Sequence, residues 1–321
     1  MTRLSTTTQE AATATEWGRK DLLGLEDLSA AEIESILDLA ASFKGSHPLS
    51  EAPLKRRTVA FLFTEPSTRT RSSFEVAARR LGCEVLGFQT AASSLLKGES
   101  LLDTIWNLEA MGIDFFLIRH EHSGVLEPLA PQTKASLINA GDGAHEHPTQ
   151  ALLDMFTLRE KKGKLKGLKV VIVGYITHSR VARSNIHGLK KLGAKVTVCG
   201  PAALIPKGIE KLGCAVSHDL DRALEGADAV NVLRLQLERQ KQNLVTSVGD
   251  YYQAFGVDGA RLEAHPDLIV LHPGPMNRGV EISSAVADGP RSAILEQVSN
   301  GVLVRMAVLS LLDSWRTANG R

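Results

Sequence analysis

The chain has 321 residues, 43% hydrophobic and 23% charged, which is enough apolar side chain for two ordinary domain cores. Its formal net charge of +1 gives no bulk attraction to nucleic acid or an anionic membrane, so an anion site must come from locally concentrated arginine. The three cysteines, Cys83, Cys199 and Cys214, lack Cys-x-x-Cys spacing and suggest neither a disulfide framework nor a cysteine zinc site.

Residues 1–16, rich in Thr and Ala, have no core-facing pattern and read as a flexible leader. No apolar stretch is expected to reach membrane-spanning length, and the N-terminus lacks a signal-peptide core. The cytoplasm is therefore the expected location. The apolar run at 58–63 predicts a buried parallel strand. Directly after it comes Phe63-Thr-Glu-Pro-Ser-Thr-Arg-Thr-Arg-Ser-Ser-Phe-Glu75, leading into a helical pattern over 67–81. Pro66 suits a helix start, and Ser67 or Thr68 can accept from its first N–H groups. Free N–H groups, hydroxyls and arginine forks at a helix N-terminus together make a site for a small dianion.

Further strands are predicted at 84–88, 114–118 and 136–139, with helical stretches near 67–81, 101–112 and 123–130. This alternation implies βαβ units and a parallel sheet covered on both faces. A helix is expected from His147 to Lys162, and the lysine- and glycine-rich stretch 161–167 marks the passage into a second sheet. That sheet takes strands at 168–174, 195–199, 229–233 and 268–272. The expected architecture is α/β, with two Rossmann-like domains over residues 17–149 and 150–301. A terminal amphipathic helix has apolar residues at Val302, Met306, Leu309, Leu312 and Trp315.

In parallel α/β sheets, ligands bind beyond the carboxyl ends of the strands. The polar clusters at those ends are Ser67-Thr-Arg-Thr70, Arg119-His120, His147-Pro-Thr-Gln150, His178-Ser-Arg180, Arg234-Leu-Gln236 and Pro273-Gly-Pro275. Six such clusters over two sheets outline an interdomain cleft. His120-Glu-His122 and His145-Glu-His147 have metal-like spacing but follow different strands. No metal site is expected, and His122 and His145 read as solvated surface. The flanks of Gly174 do not form Gly-x-Gly-x-x-Gly, so a dinucleotide cofactor is not expected.

The 63–75 segment resembles the carbamoyl-phosphate motif of the aspartate carbamoyltransferases. The resemblance extends to His-Pro-Thr-Gln-Ala-Leu-Leu-Asp (147–154), His-Ser-Arg-Val-Ala-Arg-Ser (178–184), Arg-Leu-Gln-x-Glu-Arg (234–239) and His-Pro-Gly-Pro-x-Asn-Arg-Gly-Val-Glu-Ile (272–282). Ornithine-specific relatives usually carry His-Cys-Leu-Pro where this chain has His272-Pro-Gly-Pro275, and they need an acidic residue for the ornithine amine.

The resemblance implies that carbamoyl phosphate is bound by Ser67, Thr68, Arg69, Thr70, Arg119, His147, Gln150, Pro273 and Gly274. It implies aspartate binding by Lys97, Arg180, Arg234 and Gln236, with Arg69, Thr70, Lys97, Arg119 and His147 catalytic. It further implies a homotrimer in which Ser93 and Lys97 act in the neighbouring subunit, a terminal helix (302–321) returning to the first domain, and no metal or organic cofactor. Ornithine as acceptor and a weakly active assembly subunit are the alternatives; a regulatory chain or a dihydroorotase partner is left undecided. One position departs from the pattern. Tyr175 stands where relatives commonly have aspartate, which predicts a phenol beside the aspartate pocket and weakened use of aspartate.

Overall fold

The computed structural model describes residues 17–45, 52–87, 98–235 and 247–321. Ser93, Lys97 and Gln236 lie outside them. In the first domain β1 (Thr58–Phe63), β2 (Glu84–Gly87), β3 (Phe115–His120) and β4 (Ser136–Asp142) form a parallel sheet in the order β2-β1-β3-β4. All seven residues of β4 and five of the six in β1 are buried, as expected of strands covered on both faces. The chain winds outward from β1 to β2 and then crosses to β3 on the other side of β1. The ends of β1 and β3 are thus the switch point where a ligand crevice opens.

The first helices are α1 (Ala30–Ser42), α2 (Thr68–Arg80), α3 (Leu101–Ala110) and α4 (Pro148–Lys162). The helix expected over 123–130 is absent; turns and a short 3-10 segment at Ala130–Gln132 replace it. Gly124, Pro128 and Pro131 account for this, since each proline removes a helical donor and clashes with the preceding turn.

The second sheet contains β5 (Lys169–Val173), β6 (Lys195–Cys199), β7 (Ala215–Ser217), β8 (Ala229–Val232) and β9 (Ile269–Leu271), all parallel in the order β7-β6-β5-β8-β9. The edge strand β7 was not anticipated. It is three residues long and largely exposed, too short for a periodic signal. Here the switch point lies between β5 and β8. Around this sheet run α5 (Arg180–Lys191), α6 (Leu220–Leu224), α7 (Val248–Phe255), α8 (Gly259–Ala264) and α9 (Ser284–Ala287).

The terminal helix α10 (Ile294–Ala318) packs against α1, α2 and α4, so it does return to the first domain. Its 25 residues are long and apolar enough to cross a membrane by length and composition, contrary to the sequence expectation. The apolar side is instead covered by protein. Val304, Met306, Val308, Leu309 and Leu312 join a buried cluster that runs through Phe74, Leu152 and Met155 to Ile172.

Tyr175 is a core residue. It is 2% exposed and belongs to the second domain's apolar cluster with Val171, Val173, Cys199 and Leu204, its ring 5.1 Å from that of His178. Tyr175 does follow the end of β5, as expected, with its ring buried in that cluster beside His178. Tyr175→Asp should therefore destabilise the fold by about 2–4 kcal/mol, because it empties ring volume and buries a carboxylate. Denaturant unfolding checks this, and unchanged stability would contradict it.

Candidate active site

Seven of the described α-helices begin with a side chain that accepts from the first turn: Ser29, Ser100, Ser179, Asp219, Ser247, Asp258 and Ser283. α2 and α4 do not. Ser67 occupies the N-cap of α2 and His147 that of α4, yet neither makes a side-chain cap bond. Ser67 thus holds the N-cap position that the sequence offered to Ser67 or Thr68, but its side chain accepts no first-turn N–H. These two helix starts face each other. Thr70 Oγ1 lies 3.3 Å from His147 Nε2, and both residues are buried. The first-turn N–H groups of α2 and the partial positive charge there remain directed at the crevice.

Glu65, immediately before Pro66, ties the crevice to the second domain. One carboxyl oxygen accepts from Arg180 Nη2 at 2.7 Å and lies 3.3 Å from Arg119 Nε. Arg119 Nη1 also donates to the Ala140 carbonyl at 3.3 Å. The guanidiniums crowd over Gly141, whose φ is +113°. A Cβ there would meet Arg180 Cζ at 3.1 Å and Arg119 Nη1 at 3.3 Å, so glycine is required for both reasons. Arg180, at the first position of α5, is 9% exposed, and its Nη1 is buried without a hydrogen-bond partner among the described residues.

The opposite wall comes from the segments after β8 and β9. Gly274, at φ +65°, lies against Arg69; a Cβ would stand 2.9 Å from Arg69 Nε. Partial burial lowers the Arg69 pKa from its ordinary value, and Arg234 adds like-charge repulsion. Arg69 and Arg234 thus share one electrostatic environment although they come from different domains. His272 positions this wall. Its Nδ1 accepts from Gly274 N at 2.8 Å, and Nε2 lies 3.2 Å from Glu281 Oε1. Glu281 also accepts from Asn277 N, and Asn277 Nδ2 donates to the Leu235 carbonyl at 3.0 Å.

The backbone of His147 is fixed by a relay. Its N–H donates to Ser184 Oγ at 2.8 Å, and Ser184 donates to Glu146 Oε2 at 2.6 Å. Burial holds the His147 ring well below the usual histidine pKa, and Arg119 and Arg180 push the same way. The imidazole is therefore neutral at physiological pH. Below about pH 6.5 the unfolded chain takes up a proton that the folded ring refuses, so stability falls as pH drops through that range. Acid unfolding of the native chain should show a steeper loss than His147→Gln, by up to ~1.4 kcal/mol per pH unit. Identical slopes would contradict it.

Gln150, one turn into α4, donates through Nε2 to Asp154 Oδ1 at 2.9 Å. Asp154 has no exposed surface, and burial pushes its carboxyl up to about 6 against four amide donors that lower it.

The structure thus brings together Ser67, Thr68, Arg69, Thr70, Arg119, His147, Gln150, Arg180, Arg234, Pro273 and Gly274 around the ends of β1, β3, β4, β5, β8 and β9. Sequence reasoning assigned no role to Glu65, Glu146, Asp154, Ser184, His272 or Glu281. A signal did exist for two of them: Glu65 lies inside the 63–75 segment, and Asp154 stands four residues after Gln150 on an otherwise apolar buried face. His145 is corrected. It is half-buried rather than solvated, 3.0 Å from Asp142 Oδ2 and 3.7 Å from Glu127, and its pKa is raised to about 8 chiefly by the bond to Asp142. These three residues could approach a cation geometrically, but Asp142 already accepts from Asn139, Gly124 and Glu146 and orders the turn after β4.

Two family models match the chain. Residues 20–160 match the aspartate/ornithine carbamoyltransferase, carbamoyl-P binding domain, and residues 166–312 the Asp/Orn binding domain of the same family. The aspartate carbamoyltransferase catalytic subunit of Desulforamulus reducens is 58% identical over 300 residues, 92% of this chain and 96% of its own. That of Syntrophobacter fumaroxidans is 56% identical over 298 residues, covering 92% and 98%. The fold resembles aspartate transcarbamoylase from Trypanosoma cruzi in complex with carbamoyl phosphate and aspartate, with TM-score 0.83 and 31% identity over 94% of this chain and 98% of that one. It resembles ornithine carbamoyltransferase from Pyrococcus furiosus almost equally, with TM-score 0.82 and 32% identity over 92% and 98%. Backbone similarity therefore does not separate the two amino-acid acceptors, whereas the sequence relatives named above are aspartate carbamoyltransferase catalytic subunits.

Proposed function

The chain belongs to the aspartate/ornithine carbamoyltransferase family, and from that premise we propose that it transfers the carbamoyl group of carbamoyl phosphate to the amine of L-aspartate. The products are N-carbamoyl-L-aspartate and phosphate, the step that commits carbon and nitrogen to pyrimidines. One observation carries the reading: Arg69, Arg119, Arg180 and Arg234, drawn from both sheets, converge with the Thr70–His147 pair on one crevice. A trianionic pair of substrates needs that charge, and a dicarboxylate needs it more than ornithine does.

The phosphate of carbamoyl phosphate lies on the start of α2, held by Ser67, Thr68, Arg69 and Thr70. Gln150 and the carbonyls of Pro273 and Gly274 take the carbamoyl N–H groups. Arg180 and Arg234 receive the aspartate carboxylates, and the family resemblance adds Gln236 to them. The α-amine attacks the carbamoyl carbon, and the carbonyl oxygen becomes an oxyanion that Thr70, Arg119 and His147 stabilise. A neutral imidazole can donate there without carrying a proton into the chemistry, and such preorganised donors contribute ~10²–10³ each in rate. The C–O bond to phosphate then breaks, and the departing phosphate takes the proton lost by the amine. Closure of the two walls on both substrates supplies the remaining advantage by orientation. Glu65 is suited to register that closure, since it already bridges Arg119 of one domain and Arg180 of the other.

We further propose a cytoplasmic homotrimer in which Ser93 and Lys97 complete the neighbour's site. If so, inactive Lys97→Ala and inactive Arg69→Ala trimers should regain part of their activity once dissociated and mixed. Hybrids shown to form but remaining inactive would contradict the shared site. The transfer itself is tested by a carbamoyl phosphate assay with aspartate and ornithine, taken up below.

A further inference from the structure

Asp154 is the point where four elements meet. Gln150 of α4 and Gln297 of α10 donate through Nε2 to Oδ1, at 2.9 and 2.7 Å. Asn185 of α5 and Asn231 of β8 donate through Nδ2 to Oδ2, at 2.8 and 3.0 Å. The orientation of two of these amides is set independently by the backbone. Gln297 Oε1 accepts from His272 N at 2.9 Å, and Asn185 Nδ2 also donates to the Val181 carbonyl at 3.0 Å. Both oxygens of Asp154 therefore face N–H groups, and a carboxyl proton would find only donors around it.

This arrangement has a consequence for Gln150. A side-chain amide offers a donating end and an accepting end that are nearly equal in shape. Asp154 claims the donating end, so the carbonyl oxygen Oε1 is the end left for the cleft. The same carboxylate holds Gln297, Gln297 holds the His272 backbone, and His272 holds Gly274 N. Both walls that take the carbamoyl N–H groups are thus referred to one buried anion.

We propose that Asp154 is a positioning residue that fixes the amide of Gln150 with its oxygen toward the substrate, making the pocket selective for a transferred group that donates N–H. The inference rests on the carbamoyl-transfer reading given above. Acetyl phosphate is the informative probe, because it places a methyl where carbamoyl phosphate has NH₂ and keeps the phosphate unchanged. A buried acceptor facing a methyl loses its partner, a difference of roughly tenfold or more in affinity.

The experiment measures dissociation constants of carbamoyl phosphate, acetyl phosphate and inorganic phosphate for the full chain and its variants. The native chain should prefer carbamoyl phosphate over acetyl phosphate by roughly tenfold or more. Asp154→Asn puts an NH₂ among the converging donors, releases Gln150 to turn over, and should erase that preference while inorganic phosphate binds as before. Adding Gln150→Glu to Asp154→Asn restores an acceptor held by a donor, so the preference should return, even if both phosphates bind more weakly. A merely structural role would not produce this selective loss and recovery. Should Asp154→Asn fail to fold, Gln150→Glu alone decides. Opposed to Asp154, it should unfold about 4 °C or more below Gln150→Met, and equal melting would overturn the inference. A native chain without the preference overturns the carbamoyl reading together with this inference. A native preference that survives in folded Asp154→Asn overturns this inference alone.

Discussion

Arg69→Ala is expected to lower turnover by about 10²–10³ while leaving the fold intact. The residue sits in the first turn of α2 with its side chain toward the crevice, against Gly274, and it contributes nothing to the apolar clusters. Its loss removes a forked donor from phosphate oxygens whose charge grows as the C–O bond breaks, so kcat should fall more than carbamoyl phosphate affinity. Relief of the repulsion from Arg234 should leave stability unchanged or slightly improved. Steady-state kinetics with circular dichroism checks both halves. Retention of more than about a tenth of native turnover would remove Arg69 from the phosphate site.

Arg180→Leu should be as damaging, but toward the other substrate. Arg180 is nearly buried, one of its terminal nitrogens is bonded to Glu65, and the other has no hydrogen-bond partner among the described residues. A buried guanidinium nitrogen of this kind is suited to a substrate carboxylate, and two charge-assisted bonds are worth together about 3–4 kcal/mol. The substitution is therefore expected to cut kcat/KM for aspartate by roughly 10²–10³, with inorganic phosphate bound as in the native chain. Leucine fills much of the buried volume, so unfolding should not explain the result. Weakened phosphate binding with aspartate kinetics intact would show that Arg180 serves the other half of the cleft.

The sequence made the strands legible where they are continuously apolar and buried on both faces, as in β1, β4 and β5. The start of α2, proposed above to hold phosphate, stood out because five polar residues after such a strand have little structural use. The expectations failed where local pattern lost to context. Residues 123–130 have helical spacing, but Pro128 within them and Pro131 just after forbid the hydrogen bonds. β7 is held by one neighbour over three residues, and nothing in so short a segment marks it. Tyr175 was judged by comparison with relatives, as a lost carboxylate at a strand end. Its ring is in fact buried among Val173, Cys199 and Leu204, a burial that one position in the sequence does not announce. The buried supports of the site, Glu146 to Ser184 and Asp154 to its four amides, join residues 31 to 143 positions apart in the chain, apart from Gln150, so no local reading could pair them. Asp154 with Gln150, four apart on one helix, was the pair that could have been found.

The most direct test of the central claim is a steady-state assay of phosphate release from carbamoyl phosphate, with L-aspartate and L-ornithine offered to the same preparation. Arg180 and Arg234 suit a second carboxylate and repel a second ammonium, so kcat/KM for aspartate should exceed that for ornithine by on the order of 10³ or more, with N-carbamoyl-L-aspartate as the product. Equal or better use of ornithine, or no aspartate-dependent phosphate release, would contradict the account.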